Sequence, residues 1–333
     1  LLIGPSGFSL IHDPQLMQNI SNIGIVFLLF LLGLNLNPKE LLQMAKETSV
    51  VTGVSSLLLL VLGYLFSRAF EFTHIESLII GSSLMFSSTI IGLKLIPTTV
   101  LHHQHTGEII ISVLLLQDII AIVLLLVLEG SAGDTFEWIN LAKPLVALPV
   151  LVVVTWLLEK YILIRLIRAF DRIQEYIFLL AIGWCLGVAE AAEALGLSYE
   201  IGAFIAGVSL ATSPIALFIA ESLKPLRDFF LIIFFVSLGA NFDLGVLSEI
   251  WVAAIGLSVL ALLVKPQLYR ILLRYSKESS GRSTEVAVRL GQMSEFSLLL
   301  AVLAVEMALI RDQAGYLIQF ATLVSFIVSS TYV

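Results

Sequence analysis

The chain of 333 residues is 59% hydrophobic and only 13% charged, with a mean hydropathy of +1.02. A soluble domain carries about 25% charged residues, so this composition excludes a soluble globular fold and indicates a protein surrounded by lipid. The single cysteine, Cys185, excludes an internal disulfide framework. The formal net charge of −7 says little, because the positions of the charges matter more than their sum.

Apolar stretches of about 20 residues, the length that crosses a bilayer core, recur along the whole chain. We predict the end of one helix at 1–10 and then eleven nearly complete spans. In chain order the spans are 19–36, 48–70, 76–96, 107–128, 143–165, 175–195, 199–220, 226–241, 249–274, 284–307 and 314–333. The predicted fold is an all-α polytopic membrane protein. Because apolar residues stand at both ends, we expect the chain to be the membrane part of a longer protein.

The basic residues are distributed unevenly between the predicted loops. When successive loops are assigned alternately to the two sides of the membrane, thirteen lysines and arginines lie on one side and three on the other. The thirteen are Lys39, Lys46, Lys94, Lys160, Arg165, Arg168, Arg172, Lys224, Arg227, Arg270, Arg274, Lys277 and Arg282, and the three are Arg68, Lys143 and Arg311. Since cytoplasmic loops carry the excess of basic residues, we expect a bacterial inner-membrane protein with a cytoplasmic C-terminus.

The sequence also repeats itself weakly. Residues 27–37 (FLLFLLGLNLN) and 233–243 (IFFVSLGANFD) share a glycine and an asparagine at an offset of 206 residues, and the same offset carries Ser88 onto Ser294. The second copy lies in the seventh predicted span after the first, and because seven is odd the copies cross the membrane in opposite directions. Such an inverted repeat is typical of secondary transporters.

The pair Gln117-Asp118 lies in the most apolar predicted span, ISVLLLQDIIAIVLLLVL. Carboxylates inside a membrane usually line a pathway or pair with another charge. Because desolvation disfavours a bare charge, a buried Asp118 is stabilised by either a proton or a cation, which is what an antiporter needs. The alternative is a structural ion pair. The amide oxygen of Gln117 suits a weakly hydrated cation, although a hydrogen bond between helices explains it equally well.

Two predicted spans contain polar clusters. The span 76–96 holds Gly81-Ser82-Ser83 and Ser87-Ser88-Thr89, whose hydroxyl groups compete for backbone groups and weaken a helix. Broken membrane helices expose carbonyl groups and helix ends to an ion, whereas the alternative is small-residue packing between helices. The counterpart at the offset of 206 is GQMSEFS at 291–297, which contains a second intramembrane carboxylate, Glu295.

Glu295, Arg289 and Lys265 are the other charges predicted in the core. Arg289 stands six residues before Glu295, so the two form a charge pair in the core, or Glu295 is only the N-terminal charge of a half-helix. The Lys265 ammonium pairs with Asp118 or Glu295, or its long side chain extends to the cytoplasmic surface. If Lys265 pairs with the ion-carrying carboxylate, cation binding displaces it.

Seven segments, in the same order along the chain, resemble a known transporter family. They are Gly4-Pro5-Ser6, FLLFLLGLNLNPKEL (27–41), SST (87–89), LLLQDIIAI (114–122), IGAFIAGVSLA (201–211), FFVSLG (234–239) and GQMSEFSLLL (291–300). On these segments the chain is similar to the Kef-type potassium/proton antiporters of the cation–proton antiporter-2 family, over essentially its whole length. The resemblance implies the transmembrane domain of a monovalent cation:proton antiporter.

The resemblance implies a Na⁺/H⁺-antiporter-type inverted-repeat fold of about 13 helices with two crossing broken helices. Residues 1–44 and 140–246 would form dimerisation and scaffold helices with a linker, and residues 45–139 and 247–333 the discontinuous ion-binding core. It further implies a homodimer with elevator-like alternating access. Relatives often continue into a cytoplasmic regulatory domain, so control by nucleotide or glutathione through a domain outside this chain is an open expectation.

By the resemblance, Asp118 falls where the family places its ion-carrying aspartate, and Lys265 matches the family's core lysine. Sodium-selective relatives carry an acidic residue or an asparagine just before that aspartate, so Gln117 favours potassium. The sequence therefore predicts potassium–proton exchange with Asp118 alternately protonated and cation-bound. Ser87, Ser88, Thr89 and Gln117 would supply neutral oxygens to K⁺, or to Na⁺.

Two alternatives remain, sodium–proton exchange on the same scaffold and a gated potassium channel. A channel is disfavoured because the chain contains no carbonyl filter such as TVGYG. Phosphate-binding loops, zinc motifs, a Ser-His-Asp arrangement and basic nucleic-acid patches are also absent from the sequence. We therefore expect a transporter rather than an enzyme, with no cofactor in this chain and no nucleic-acid partner.

Overall fold

The structure is a computed structural model that describes residues 14–35, 38–88, 105–131, 138–169, 174–213, 215–240 and 244–332. Every regular element in these ranges is a helix. In chain order the helices are α1 (Pro14–Asn35), α2 (Pro38–Ala69), α3 (His74–Met85), α4 (His105–Ser131), α5 (Trp138–Leu158), α6 (Ile164–Ala169), α7 (Gln174–Ala194), α8 (Tyr199–Leu210), α9 (Ala216–Ala240), α10 (Leu244–Val259), α11 (Lys265–Tyr275), α12 (Ser280–Arg289), α13 (Glu295–Glu306) and α14 (Asp312–Tyr332). Single π-helical turns, Glu159–Leu163 and Leu260–Val264, join α5 to α6 and α10 to α11.

Six helical segments in the described ranges are long and apolar enough to cross a membrane. They are Thr48–Ala69, His105–Leu125, Val146–Ile167, Glu175–Ala194, Ser248–Tyr275 and Asp312–Thr331. They match the predicted spans that begin at 48, 107, 143, 175, 249 and 314, to within three residues at each end. The prediction of an all-α polytopic membrane protein is therefore confirmed, while the helix end predicted at 1–10 lies outside the described residues.

The predicted boundary between spans 199–220 and 226–241 is wrong. The first helix ends at Leu210, and the next, α9, runs from Ala216 through Pro225 to Ala240. The sequence Thr-Ser-Pro after Ala211 explains the earlier end, because a residue that precedes proline is disfavoured in the helical region. Lys224 and Arg227, which suggested a loop by their charge, lie inside α9 instead.

The chain divides into two compact units. Unit 1 is Leu1–Glu40 with Leu126–Asp243, and unit 2 is Leu41–Leu125 with Leu244–Val333. The roles predicted for similar stretches, a dimerisation scaffold and an ion-binding core, stay predictions.

Unit 1 is built around α1, which packs against α8 and α9, while α8 also packs against α7. The helices α1 and α8 cross at Gly33 and Gly207, where a Cβ atom on Gly207 would lie 2.9 Å from the Cα atom of Gly33. Such contacts between small residues let membrane helices approach closely. The surrounding core is apolar, with Phe30, Cys185 and Leu223 fully buried.

Unit 2 joins α10 to α14, α11 to α12, and α13 to both α14 and α3. Gly63 of α2 lies against Gly81 of α3, where an added Cβ atom would approach the Gly81 Cα to 2.7 Å. At one end of α3, Arg311 donates from Nε and Nη2 to the buried carboxylate of Glu76, at 2.7 and 2.8 Å. These hydrogen bonds raise the pKa of the Arg311 guanidinium.

Candidate functional site

The first polar cluster contains the end of a helix, which comes later than the sequence suggests. Helix α3 begins with a capping box between Thr73 and Glu76 and ends at Met85, after which Phe86 is extended at φ −78° and ψ 140°. The three residues Phe86–Ser88 are not helical. Gly81-Ser82-Ser83 remains inside α3, where Gly81 packs directly on the backbone of α2. The prediction that this triplet weakens the helix is therefore wrong, and its small residues serve helix packing.

The second polar cluster separates α12 from α13. Residues 290–294 are not helical, and Ser294, at φ −120° and ψ 161°, caps the start of α13 by accepting from the backbone N–H of Phe296. Gly291 lies against the ring of Pro266, where a Cβ atom would come within 2.6 Å of Cγ. The predicted interruption of the span 284–307 is confirmed.

The two non-helical segments, which we call break 1 (86–88, after α3) and break 2 (290–294, between α12 and α13), are joined by hydrogen bonds. The Ser87 hydroxyl donates to the Leu290 carbonyl at 2.9 Å, and Gln292 Nε2 donates to the Ser88 carbonyl at 3.3 Å. The Ser297 hydroxyl of α13 donates to the Ser83 carbonyl at 2.6 Å. Break 1 and break 2 therefore meet, and non-helical backbone groups of both are gathered in one place.

Lys265 lies between the breaks. Its Nζ donates to the Phe86 carbonyl at 2.6 Å and to the Gln292 carbonyl at 3.0 Å, and the side chain is fully buried. Among the described residues it forms no ion pair, so pairing with Asp118 or Glu295 and extension to the surface are both wrong for this structure. The break carbonyls lack helical partners, and a buried ammonium satisfies both, which sequence alone does not reveal.

The offset of 206 residues reappears in these contacts. The two carbonyls that Lys265 binds belong to Phe86 and Gln292, which are 206 residues apart. The next residue of each break also has an equivalent contact. The backbone N–H of Ser87 donates to Gln117 Oε1 at 3.1 Å, and that of Met293 donates to the Ser325 hydroxyl at 3.1 Å. The weak sequence repeat thus corresponds to a repeat of the local structure at the breaks.

Gln117 of α4 holds break 1. Its Oε1 accepts from Ser87, and its Nε2 donates to the Met85 carbonyl at 2.7 Å and to the Tyr269 hydroxyl at 2.6 Å. The structure therefore shows the hydrogen bonding between elements that the sequence left as one alternative. Because a carbonyl oxygen has two lone pairs, the Ser87 N–H leaves one for a cation, and the ligand role of Gln117 stays a prediction.

Asp118, the next residue of α4, is 2% exposed. Its Oδ2 is buried and has no hydrogen-bond partner among the described residues. Burial disfavours a bare charge on this carboxylate. A buried, unpartnered carboxylate oxygen of this kind is stabilised by a proton or a cation, but not by both together.

Glu295 is the first residue of α13, so its carboxylate lies at a helix N-terminus, where a negative charge is favourable. Ser88 donates to its Oε1 at 2.7 Å, and Ser294 donates to its Oε2 at 3.2 Å. Arg289, predicted as a charge in the core, pairs instead with Glu285 at 3.3 Å, one turn earlier on α12. That pairing is local because i, i+4 side chains share a helix face. Thr89 lies outside the described residues.

Sequence analysis missed Tyr269 and Ser325. Tyr269 is fully buried and stands four residues after Lys265, on the same face of α11. That spacing is the one signal in the sequence that associates it with the site. Ser325 lies in an ordinary apolar helix, and only its partner in break 2 distinguishes it from other serines.

Among the described residues, the arrangement offers one unpartnered carboxylate oxygen on α4 and two breaks whose carbonyl, hydroxyl and amide oxygens are neutral. Oxygen ligands of this mixed kind suit a hard monovalent cation. A family model described as "Sodium/hydrogen exchanger, transmembrane" matches residues 1–333 of the chain.

Proposed function

Because the chain belongs to the sodium/hydrogen exchanger family and is therefore a multi-pass cation/proton antiporter, we propose that it exchanges potassium for protons and that Asp118 carries both ions in turn. The observation that supports this role most directly is the buried Oδ2 of Asp118, which has no partner in the described part of the chain.

The coupling of cation and proton transport follows because the Asp118 carboxylate binds either a cation or a proton, but not both. When Asp118 binds a cation, the proton must leave, and when it binds a proton, the cation loses its only negatively charged ligand at that position. Each state neutralises the buried charge, so each is stable enough to move across the membrane. Neither partner then crosses without the other moving in the opposite direction.

The neutral oxygens around Asp118 support potassium as the cation. Ser87, Ser88 and Gln117 bring hydroxyl and carbonyl oxygens to the breaks, and each is at most 1% exposed. Carbonyl and hydroxyl oxygens replace the hydration shell of a weakly hydrated ion at modest cost. Thr89, which directly follows break 1 in the sequence, is proposed as a further ligand by its place in the motif.

The remaining parts of the proposal come from the resemblance. We propose elevator-like alternating access in a homodimer within a bacterial inner membrane, with the C-terminus in the cytoplasm. A regulatory domain or subunit on the cytoplasmic side would be the place for nucleotide or glutathione control.

Sodium is the second candidate cation, because the description of the matching family names sodium. A sodium exchanger would use the same carboxylate and the same breaks. The two cations differ in how strongly they hold water, so the neutral ligands that replace this water decide between them. Gln117 is one of these ligands.

The test uses proteoliposomes loaded with a pH-sensitive dye at acidic internal pH. External chloride salts of potassium, rubidium, sodium and lithium are added separately, at several pH values. The proposal predicts that the lumen becomes alkaline fastest with potassium and rubidium. It also predicts that Gln117→Asn shifts the preference toward sodium, because the shorter amide moves its oxygen away from break 1.

Empty vesicles provide the background of proton leak. Faster alkalinisation with sodium and lithium would replace potassium with sodium in the proposal. If no cation moves protons above the background of empty vesicles, exchange itself is contradicted.

A further inference from the structure

Tyr269 occupies a central position among the elements of the candidate site. It lies on α11, is fully buried, and points its hydroxyl at Gln117 Nε2, 2.6 Å away. Ser55 of α2 and Ser87 of break 1 are the other polar side chains next to that hydroxyl. One phenol group therefore contacts α2, α4 and break 1 from the helix that also carries Lys265.

The hydrogen bonds around Tyr269 have a fixed direction. The Ser87 hydroxyl already donates to Leu290, and the Ser55 hydroxyl donates to the Thr52 carbonyl at 3.0 Å. Both serine oxygens are thus left as acceptors for the single proton of Tyr269. The phenol oxygen accepts from Gln117, since an amide nitrogen can only donate.

The Met85 carbonyl and the Ser87 N–H determine how the Gln117 amide lies, and Tyr269 accepts from its second N–H. Its two N–H groups point to Met85 and Tyr269, so its carbonyl oxygen points to the Ser87 N–H. If the amide were reversed, two oxygens would face each other at Met85 and two N–H groups at Ser87. Without the Tyr269 hydroxyl, one N–H of Gln117 faces a bare aromatic ring, and a buried donor without an acceptor is costly.

We infer that Tyr269 is a positioning residue for cation selection, which holds the Gln117 amide so that its oxygen is presented to break 1. This inference rests on the proposed function, because it takes Gln117 as a ligand of the transported cation. Tyr269 itself acts through Gln117 and does not bind the ion. Lys265 and Tyr269, one turn apart on α11, then have complementary tasks, since Lys265 holds the break carbonyls and Tyr269 holds the ligand amide.

The variant Tyr269→Phe tests the inference, because it removes the hydroxyl and keeps the buried ring. The purified full chain in detergent is melted at increasing KCl, with choline chloride keeping the ionic strength constant. Since a ligand that binds the folded state stabilises it according to its concentration and Kd, the KCl dependence of Tm reports the affinity for potassium. We expect Tyr269→Phe to raise the Kd about tenfold, the effect of one lost buried hydrogen bond.

The matched control is Tyr275→Phe, because Tyr275 ends the same helix and is 83% exposed. It should leave the potassium titration unchanged. A double-mutant cycle with Gln117→Ala separates positioning from general packing. If Tyr269 acts through Gln117, Tyr269→Phe adds nothing to the Kd in the Gln117→Ala background.

An unchanged Kd in Tyr269→Phe overturns the inference, and so does an equal rise in the Gln117→Ala background. A lower Tm in the absence of potassium with the same KCl dependence shows a packing role only and also overturns it. A wild-type chain that KCl does not stabilise contradicts the proposed function instead, so the two failures are distinguishable.

Discussion

The two units differ most in what they bury. Unit 1 buries mostly apolar side chains, and among its described residues the buried polar ones are Thr155, Glu159 and Ser237. The described part of unit 2 buries a lysine, three carboxylates, three glutamines and many serines and threonines, and it contains both breaks. Close packing of apolar side chains thus stabilises unit 1. Hydrogen bonds to the non-helical backbone of the breaks stabilise unit 2.

This difference shows where ion chemistry is possible. Apolar helices that cross at Gly33 and Gly207 gain stability from close contact and offer nothing to a cation. The breaks of unit 2 expose backbone groups that must be satisfied, because an unpaired backbone group inside a membrane costs several kcal/mol. Lys265, Gln117 and Ser325 bind backbone groups of the breaks, whereas Oδ2 of Asp118 has no partner in the described part of the chain.

The largest effect on stability is expected at Lys265. Lys265→Met keeps the length of the side chain but leaves the Phe86 and Gln292 carbonyls without their donor. We expect the free energy of unfolding to fall by about 3 kcal/mol, as measured by denaturant titration in mixed micelles. The matched variant in unit 1 is Lys160→Met, where the ammonium lies over the rings of Trp156 at 4.8 Å and Tyr161 at 5.7 Å. That change should cost less than about 1 kcal/mol, and an equal loss in both variants would contradict the role of the breaks.

The next largest effect is expected from overpacking unit 1. Gly207→Val places a side chain against the backbone of α1, so the helices must separate. We expect a loss of about 2 kcal/mol, measured in the same titration. Gly183→Ala is the control, because a Cβ atom at Gly183 meets nothing within 4 Å. If Gly207→Val were as mild as the control, close packing would not be what holds unit 1.

The smallest effect is expected at the start of α3, where Arg311 binds Glu76. Arg311→Ala removes the two side-chain hydrogen bonds to the buried Glu76 carboxylate and keeps the one from the backbone N–H of residue 311. Because the Arg311 side chain is 58% exposed, water replaces part of the loss, and we expect a cost of about 1 kcal/mol. The control, Arg282→Ala, breaks an exposed pair with Glu278 and should cost a few tenths of a kcal/mol. A loss at Arg311 no larger than at Arg282 would show that burial of Glu76 adds nothing.

The sequence predicts those structural features that a single segment determines by itself. Uninterrupted spans follow from hydropathy, as in 48–70 and 249–274, and the second break follows from its polar cluster. Asp118 and Glu295 stand out because carboxylates are rare at such depth. The helix end at Leu210 was missed because the charges at Lys224 and Arg227 suggested a loop more strongly than Thr-Ser-Pro did.

What the sequence does not predict is which distant residues meet. The two acceptors of Lys265 are 179 and 27 residues away, so no local pattern assigns them. Nothing in the sequence distinguishes Tyr269 from any other aromatic residue in a membrane helix. Its partner, Gln117, lies 152 residues earlier and becomes apparent only in the structure. Charge alone suggested an ion pair for Lys265, and the unsatisfied carbonyls that compete for its ammonium exist only after the helices break.

The central claim is that the exchanged ions use the unpartnered carboxylate of unit 2 and none in unit 1. Each unit contains a buried membrane carboxylate, Asp118 at 2% and Glu159 at 5% exposure, so Asp118→Asn and Glu159→Gln are a matched pair. The decisive measurement is potassium-driven alkalinisation of proteoliposomes that contain equal amounts of each variant. We predict that Asp118→Asn falls to the level of empty vesicles and that Glu159→Gln keeps most of the wild-type rate. Exchange that survives in Asp118→Asn, or is lost equally in Glu159→Gln, would contradict the account.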